Sequence, residues 1–303
     1  MKLSLGPVQY YWPRVAMLQF YQAMCEAPVD TVYLGETVCS RRHELRLNDW
    51  LDVADMLTQA GKEVVLSTQV LIESRQELAT LRNVAANGRY GVEANDMGAV
   101  RCLNGASFVA GPFLNIYNPP VLHLLHGQGA RRWVMPLEMG RDGLAGMLDD
   151  KPGAMETEVF VYGRMPLAFS ARCFTARHRN LPKDNCQYVC GDHPDGLMLR
   201  TREDASFLVL NGIQTQSAQV CNLIHAVPVL RQLGVEYLRI SPQAGHTARI
   251  IQLFRDAVDA RLSPDDAFTD MEPLMPAPAC NGYWHNLPGQ QWCVPGRLKE
   301  GAV

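Results

Sequence analysis

Short apolar segments recur along this chain, and after most of them the apolar spacing changes to that of a helix. Residues 2–5, 31–35 (TVYLG), 63–67 (EVVLS), 91–94, 107–110, 132–136, 158–162 (EVFVY) and 235–240 (VEYLRI) read as eight strands. Helical patterns follow. Val15, Leu18, Tyr21 and Met24 repeat at helical spacing after Pro13; 48–60 is amphipathic, with Asn48 as its cap and Gly61 as its stop; 73–87 ends at Gly88; a last helix covers 246–260. Such strands, apolar throughout and joined by helices, suit a parallel sheet covered on both faces. The turn after the first strand (GPVQYYWP) lacks the glycine spacing of a doubly wound dinucleotide fold. The expected fold is therefore α/β, a (β/α)8 TIM-like barrel. An insertion over 171–219 interrupts it near the seventh strand, with a cysteine-bearing loop and two segments, 196–201 and 207–210, that can pair as a hairpin. The barrel with its insertion spans 1–262, and 263–303 is a Pro-rich tail packed on it and ordered only in part.

Charge excludes one large class of partner. Lys and Arg number 28 against 31 Asp and Glu, a net −3, with no basic stripe of the kind that binds nucleic acid. Two uncharged stretches, 102–130 and 205–230, are too interrupted by polar residues, Gly and Pro to be transmembrane helices. Residues 1–8 are too short for the apolar region of a signal peptide, so the expected location is the cytoplasm. In that reducing compartment the nine cysteines are better read as metal ligands or reactive groups than as disulfides.

Three of the nine share one loop, SARCFTARHRNLPKDNCQYVC: Cys173, Cys186 and Cys190, spaced C-x12-C-x3-C. Clustered thiolates hold zinc or iron-sulfur clusters. In a barrel, the loops after the strands open on one face. Cys39, in GETVCSRRHE after the second strand, can therefore share that face with the loop after the seventh. Cys25 and Cys102 fall on outer helices, Cys221 at the start of an expected helix, and Cys280 and Cys293 in the tail. Spacing alone leaves an iron-sulfur cluster, zinc and no metal all open. A C-x3-C-x2-C radical motif would need a cysteine at position 193, where His193 stands.

At LGPVQYYWP, DTVYLGETVCSRRHE, DWLDVADMLTQAGKEVVLST, LAFSARCFTARHRNLPKDNCQYVC, FLVLNGIQTQS, LRISPQ and CNGYW the chain resembles the collagenase-like peptidase family. Within it, the resemblance is to the branch that serves oxygen-independent ubiquinone biosynthesis, and it covers nearly the whole length. It implies a 4Fe-4S cluster on Cys39, Cys173, Cys186 and Cys190. It also implies a heterodimer with UbiU, assistance from the lipid-carrier protein UbiT, and hydroxylation of the ring of a ubiquinone precursor without O2, with prephenate as a candidate hydroxyl donor. The rival readings are a zinc- or cluster-stabilised partner without catalysis and a peptidase-like hydrolase. No Cys-His or Ser-His pair in the sequence argues for proteolysis. With four thiolates the cluster would have no open iron, which suits electron transfer or structural support; a dissociable Cys39 is the alternative.

Other residues have both a chemical and a plain structural reading. Arg41, Arg42, Arg172 and Arg177 flank the cysteines and could offset thiolate charge, or be solvated loop charges. His178 and His193 are candidate ligands or loop surface; His123 and His126 share a helical face, as a metal pair or as an amphipathic helix end. Glu36, Ser67 and Thr68 end strands at the barrel mouth, and Asn115, Tyr117, Asn211 and Gln214 lie in turns there, for substrate contact or for turn hydrogen bonding. Tyr10, Tyr11 and Trp12 follow the first strand, where they could stack on a quinone or a partner, or pack in the core.

Overall fold

Each of the eight apolar segments forms a strand. The computed structural model describes residues 1–294, and the end of the Pro-rich tail, 295–303, lies outside the described residues. The strands are β1 (Lys2–Leu5), β2 (Thr31–Leu34), β3 (Glu63–Ser67), β4 (Gly91–Ala94), β5 (Phe108–Ala110), β6 (Ala130–Val134), β7 (Glu156–Phe169), β8 (Leu197–Arg200), β9 (Ser206–Asn211), β10 (Gln214–Asn222), β11 (Tyr237–Ile240) and β12 (Ala279–Cys280). Strands β1 to β7 and β11 pair in parallel in the order β11-β1-β2-β3-β4-β5-β6-β7, and β11 pairs with β7 to close the ring. The chain is thus an α/β barrel with helices between its strands.

Alternation within each strand divides the barrel wall between two environments. One set of side chains (Leu3, Leu5, Val32, Leu34, Leu66, Leu238, Ile240) packs outward against the helices in one continuous core. The helix Leu47–Gln59 contributes Trp50, Val53, Ala54 and Leu57, and Thr247–Val258 contributes Ile250, Ile251, Leu253 and Phe254. Leu47–Gln59 begins one residue before the expected cap, because the Asp49 carboxylate reaches back to the Arg46 amide at 2.8 Å and closes the first turn there.

The inward set is not the apolar filling that the strand pattern suggested. Tyr33, Val65, Val109 and Val134 form a small cluster of their own. Beside it lies a buried ionic lattice. Arg239 donates Nε to Glu158 Oε1 at 2.6 Å, and its Nη1 stands 2.7 Å from Glu93 Oε1. Glu158 also accepts from Ser4 Oγ at 2.6 Å and from Tyr33 OH at 2.5 Å. Arg132 lies 3.8 Å from Glu158 Oε2 and pairs with Glu63 and Glu156 at the barrel floor. Each buried charge is thus met by opposite charge and by hydrogen bonds, without which it would carry a large desolvation cost.

β7 runs well past the expected 158–162. It pairs with β11 over Glu158 to Tyr162 and then with β10 as far as Phe169, so one strand serves both the barrel and an antiparallel sheet, β7-β10-β9-β8. Gly163, at φ +126°, marks the change of partner; a Cβ there would stand 2.5 Å from the Ser241 Cβ. The expected hairpin forms as β8 and β9, antiparallel. β10 was not expected, and it carries Cys221 in a strand rather than at a helix start, because its polar residues are covered by β7 and β9. In the tail, β12 pairs with β10 through Val220–Ala279 and Cys221–Cys280. Among the described residues, no helix is long and apolar enough to cross a membrane.

Gly35 ends β2 at φ +132°, and a Cβ there would stand 2.6 Å from the Ser67 carbonyl oxygen. Gly35→Ala should therefore cost about 1–3 kcal/mol by forcing β2 and β3 apart, measured as a lower midpoint in urea unfolding.

Candidate functional site

The turn that leaves β2 is fixed by its own carboxylate. Glu36 Oε1 accepts the amides of Val38 at 2.9 Å and Cys39 at 3.0 Å, which holds Cys39 buried beside Ile213. Leu71, Phe169 and Cys173 pack against that same small cluster, so the loop after β2 and the loop after β7 meet. Cys173 opens the short helix Phe174–His178, where its Sγ accepts the Ala176 amide at 3.4 Å. The chain then passes through 3-10 turns at Lys183–Asn185 and Val189–Asp192, which set Cys186 and Cys190 just after and within them. Cys173 and Cys186 both lie near enough to Cys190 to perturb it, and Cys39 feels Cys173. The structure therefore brings Cys39, Cys173, Cys186 and Cys190 to one neighbourhood at the end of the barrel where the strands finish. Among the described residues, no three His, Cys, Asp or Glu side chains meet in the spacing of a single metal ion.

The loop is tied down on every side. Phe174 N donates to Gly212 O at 3.0 Å, Gly212 N to Thr175 Oγ1 at 2.9 Å, and Arg41 Nη2 to Asp184 O at 2.6 Å. Lys183 pairs with Glu73. Tyr11 stacks on Tyr188 at 5.5 Å between centroids, and Trp12 Nε1 donates to Pro194 O at 2.8 Å.

Arg42 is the cation inside this arrangement. Only 4% exposed, it donates Nη1 to the Gln9 carbonyl at 2.6 Å and Nη2 to Asn211 Oδ1 at 2.7 Å, and stands 3.8 Å from Glu36 Oε1. Its guanidinium lies beside the Cys190 thiol and near Cys39. Burial pushes the Cys39 thiol up to about 11 while Arg42 pulls it down; Cys190 is raised in the same way against the same cation. A thiolate formed at either position would gain Arg42 as its counter-charge.

A chain of amides runs from Arg42 into the barrel mouth. Gln9 Oε1 accepts from Gln214 Nε2 at 3.1 Å and Gln216 Nε2 at 2.9 Å, Asn211 Nδ2 donates to Gln9 O at 2.8 Å, and Gln9 also lines a chamber at the mouth with Asn95, Arg239 and Ser241.

Several sequence candidates have plain structural duties. His123 Nε2 meets the Asp150 carbonyl at 2.9 Å and His126 Nδ1 the Ala130 carbonyl at 3.0 Å, on the helix Pro119–Gly127 outside the barrel. His178 is exposed and His193 half-buried. Arg172 and Arg177 are exposed loop charges. Thr68 Oγ1 accepts the Asn95 amide at 3.0 Å, and Ser67 Oγ donates to Glu93 Oε2 at 2.7 Å. Tyr117 OH donates to Glu138 Oε2 at 2.9 Å, and Asn115 supplies a left-handed turn at φ +54°. Tyr10 and Trp12 are core residues; Trp12 touches the cysteine loop through its indole N–H, and Tyr11 is the member of that run that stacks on it. The sequence reading missed Gln9, Asn95 and Arg239. Their signal was faint: one polar residue at the inward parity of a strand or its end, as in VEAN and YLRI.

Fold and geometry together define an α/β barrel with a thiol-bearing loop at its C-terminal mouth. The chain belongs to peptidase family U32, whose family model matches residues 17–293. It is similar to the tRNA hydroxylation protein P1 of Bacillus subtilis (strain 168), 24% identical over 128 residues, a match covering 38% of this chain and 29% of that protein. The U32 peptidase Mk0906 superposes with a TM-score of 0.45 at 13% identity, over 80% of this chain and 93% of that one. Dihydrodipicolinate synthase of Agrobacterium tumefaciens gives 0.38 at 12% identity, over 90% and 81%.

Proposed function

We propose that this chain is the UbiV-type iron-sulfur subunit of an oxygen-independent hydroxylase, acting in the cytoplasm with UbiU and UbiT on the ring of a ubiquinone precursor. Cys39, Cys173, Cys186 and Cys190 would hold a 4Fe-4S cluster. The observation that carries the reading is that the loops after β2 and β7 meet, Cys39 packing with Cys173, with Cys39 and Cys190 beside the buried Arg42 guanidinium. All four donors are of the type that binds iron-sulfur clusters, and Arg42 offsets the charge that four thiolates bring. Similarity to a protein named for tRNA hydroxylation supports the reaction class. When bound, the cluster supplies one-electron transfer. The protein's own residues do the rest: Glu36 sets the Cys39 turn, Tyr11 and Trp12 hold the loop down, and the Gln9 network links it to the mouth.

Anaerobic purification with iron, sulfide and zinc analysis tests this. About four irons per chain are expected in the wild type. Cys39→Ala, Cys173→Ala, Cys186→Ala and Cys190→Ala should each lose most of the iron, while Cys102→Ala, on the outer helix Met97–Leu103, keeps it. Zinc in place of iron, or iron retained in all four variants, overturns the assignment.

A further inference from the structure

The barrel mouth holds two adjoining chambers that share Pro112, Phe113, Leu137 and Pro166 as walls. The inner one, about 20 Å³, is the size of a single water and is lined by Arg239 and Asn95. The outer one, about 200 Å³, is walled by Val70, Leu167 and an edge-to-face pair, Phe113 and Phe169, with centroids 5.0 Å apart at 82°. A dry cavity of about 150 Å³ is enough to take a benzene ring.

Residues lining the inner chamber carry three polar atoms without a hydrogen-bond partner, Arg239 Nη2, Asn95 Oδ1 and Glu93 Oε1, and the last of these is held by its ionic contact with Arg239 Nη1 at 2.7 Å. Arg239 and Asn95 are 5% and 2% exposed, yet Arg239 Nη2 and Asn95 Oδ1 have no hydrogen-bond partner among the described residues. Their other groups are engaged: Arg239 by Glu158 and Glu93, Asn95 Nδ2 by the Thr68 carbonyl at 3.0 Å. Buried polar groups are rarely left unpaired, and exceptions call for a ligand or water. With the Glu93 oxygen engaged by that ion pair, the remaining orphans are one donor, Arg239 Nη2, and one acceptor, Asn95 Oδ1, which is the complement of a hydroxyl group. The lattice charge of Arg239 is already balanced by two carboxylates, so the chamber favours a neutral oxygen over an anion.

We propose that the mouth is a binding site for a hydroxylated aromatic ring. The ring lies in the outer chamber against Phe113 and Phe169, and its hydroxyl enters the inner one, accepting from Arg239 Nη2 and donating to Asn95 Oδ1. As a ligand site it stands independently of the iron; as the seat of the ring to be hydroxylated it rests on the function proposed above.

Phenol and toluene differ by the one group in question, and calorimetric titration of the anaerobically purified protein with each tests the site. Phenol should bind about tenfold tighter than toluene. Asn95→Ala should remove most of that preference and leave toluene binding intact, which also reports that the chamber persists. Phe113→Trp, which fills the outer chamber, should abolish binding of both. Equal affinities in the wild type, no binding of either, or an unchanged preference in Asn95→Ala overturns the proposal. Phenol selectivity in a protein found to lack iron would keep the ring site and dismiss the hydroxylase reading; iron without ring binding would do the reverse.

Discussion

Glu158→Leu should destabilise the protein by about 3–5 kcal/mol, the largest loss expected from any single change in the barrel wall. Glu158 is fully buried and shared by four groups on four other strands: Arg239 on β11, Arg132 on β6, Tyr33 on β2 and Ser4 on β1. Its removal leaves the Arg239 guanidinium with Glu93 alone and frees two hydroxyls inside the wall. Guanidinium denaturation should show the loss directly. Adding Arg239→Met and Glu93→Gln together to Glu158→Leu, so that no member of this ionic group is left charged without a partner, should restore a large part of it, because a buried charge without its partner costs more than a neutral group in its place. Acid should mimic the substitution. Burial alone would raise the Glu158 pKa, but Arg239 and Arg132 outweigh it and hold the carboxyl below the ordinary range. A depressed folded pKa stabilises the fold above the unfolded value, near about 4.3, and the contribution is lost as pH falls through the folded value. The gap between wild type and Glu158→Leu should therefore be widest near neutrality and narrow below about pH 4.

Arg42→Met should act on a different part of the molecule. It removes two donors from buried acceptors, the Gln9 carbonyl and Asn211 Oδ1, and the nearest cation from Glu36. Glu36 keeps some contact with solvent, so a loss of about 2–4 kcal/mol is expected, smaller than for Glu158. The sharper readout is local. Amides of residues 173–193 should exchange faster with deuterium in the variant, while those of β3 to β6 stay protected, since Arg42 joins the loop to the barrel rather than the barrel strands to each other. Arg42→Lys keeps the charge without the two-pronged geometry and should fall between the two.

The strands, most helices and the meeting of Cys39 with the cysteine loop were legible in the sequence, each for a local reason. Runs such as TVYL and EVVLS have no comfortable place except a covered sheet. The face shared by Cys39 and Cys173 followed from the rule that loops after parallel strands open on one side. The barrel's polar interior was hidden because its pairs are joined across the ring and not along the chain: Glu158 meets Ser4, and Arg239 meets Glu93. In isolation each looks like a stray polar residue in a short apolar run. β10 was hidden for a related reason. QTQSAQVCN has a loop's composition, and only β7 and β9 on either side give its polar groups partners. Arg42 could be read in the sequence either as a cation for the thiols or as a solvated loop charge, because nothing nearby in sequence reveals the buried acceptors that hold it.

The circular order of the strands also sets a clock. Going round the ring, β2 and β7 are separated by β1 and β11, and β1 closes on β11 through residues 235 positions apart. The two loops that carry the four thiols thus flank the last seam to be sewn. On a ribosome adding about 5–20 residues per second, Cys39 waits on the order of 10 to 40 s before the strand that completes its surroundings has been made. Through that interval its thiol belongs to a nascent chain rather than to a site, open to oxidants and stray metals, and the two cysteine-bearing loops come to rest against each other only after synthesis has passed residue 240.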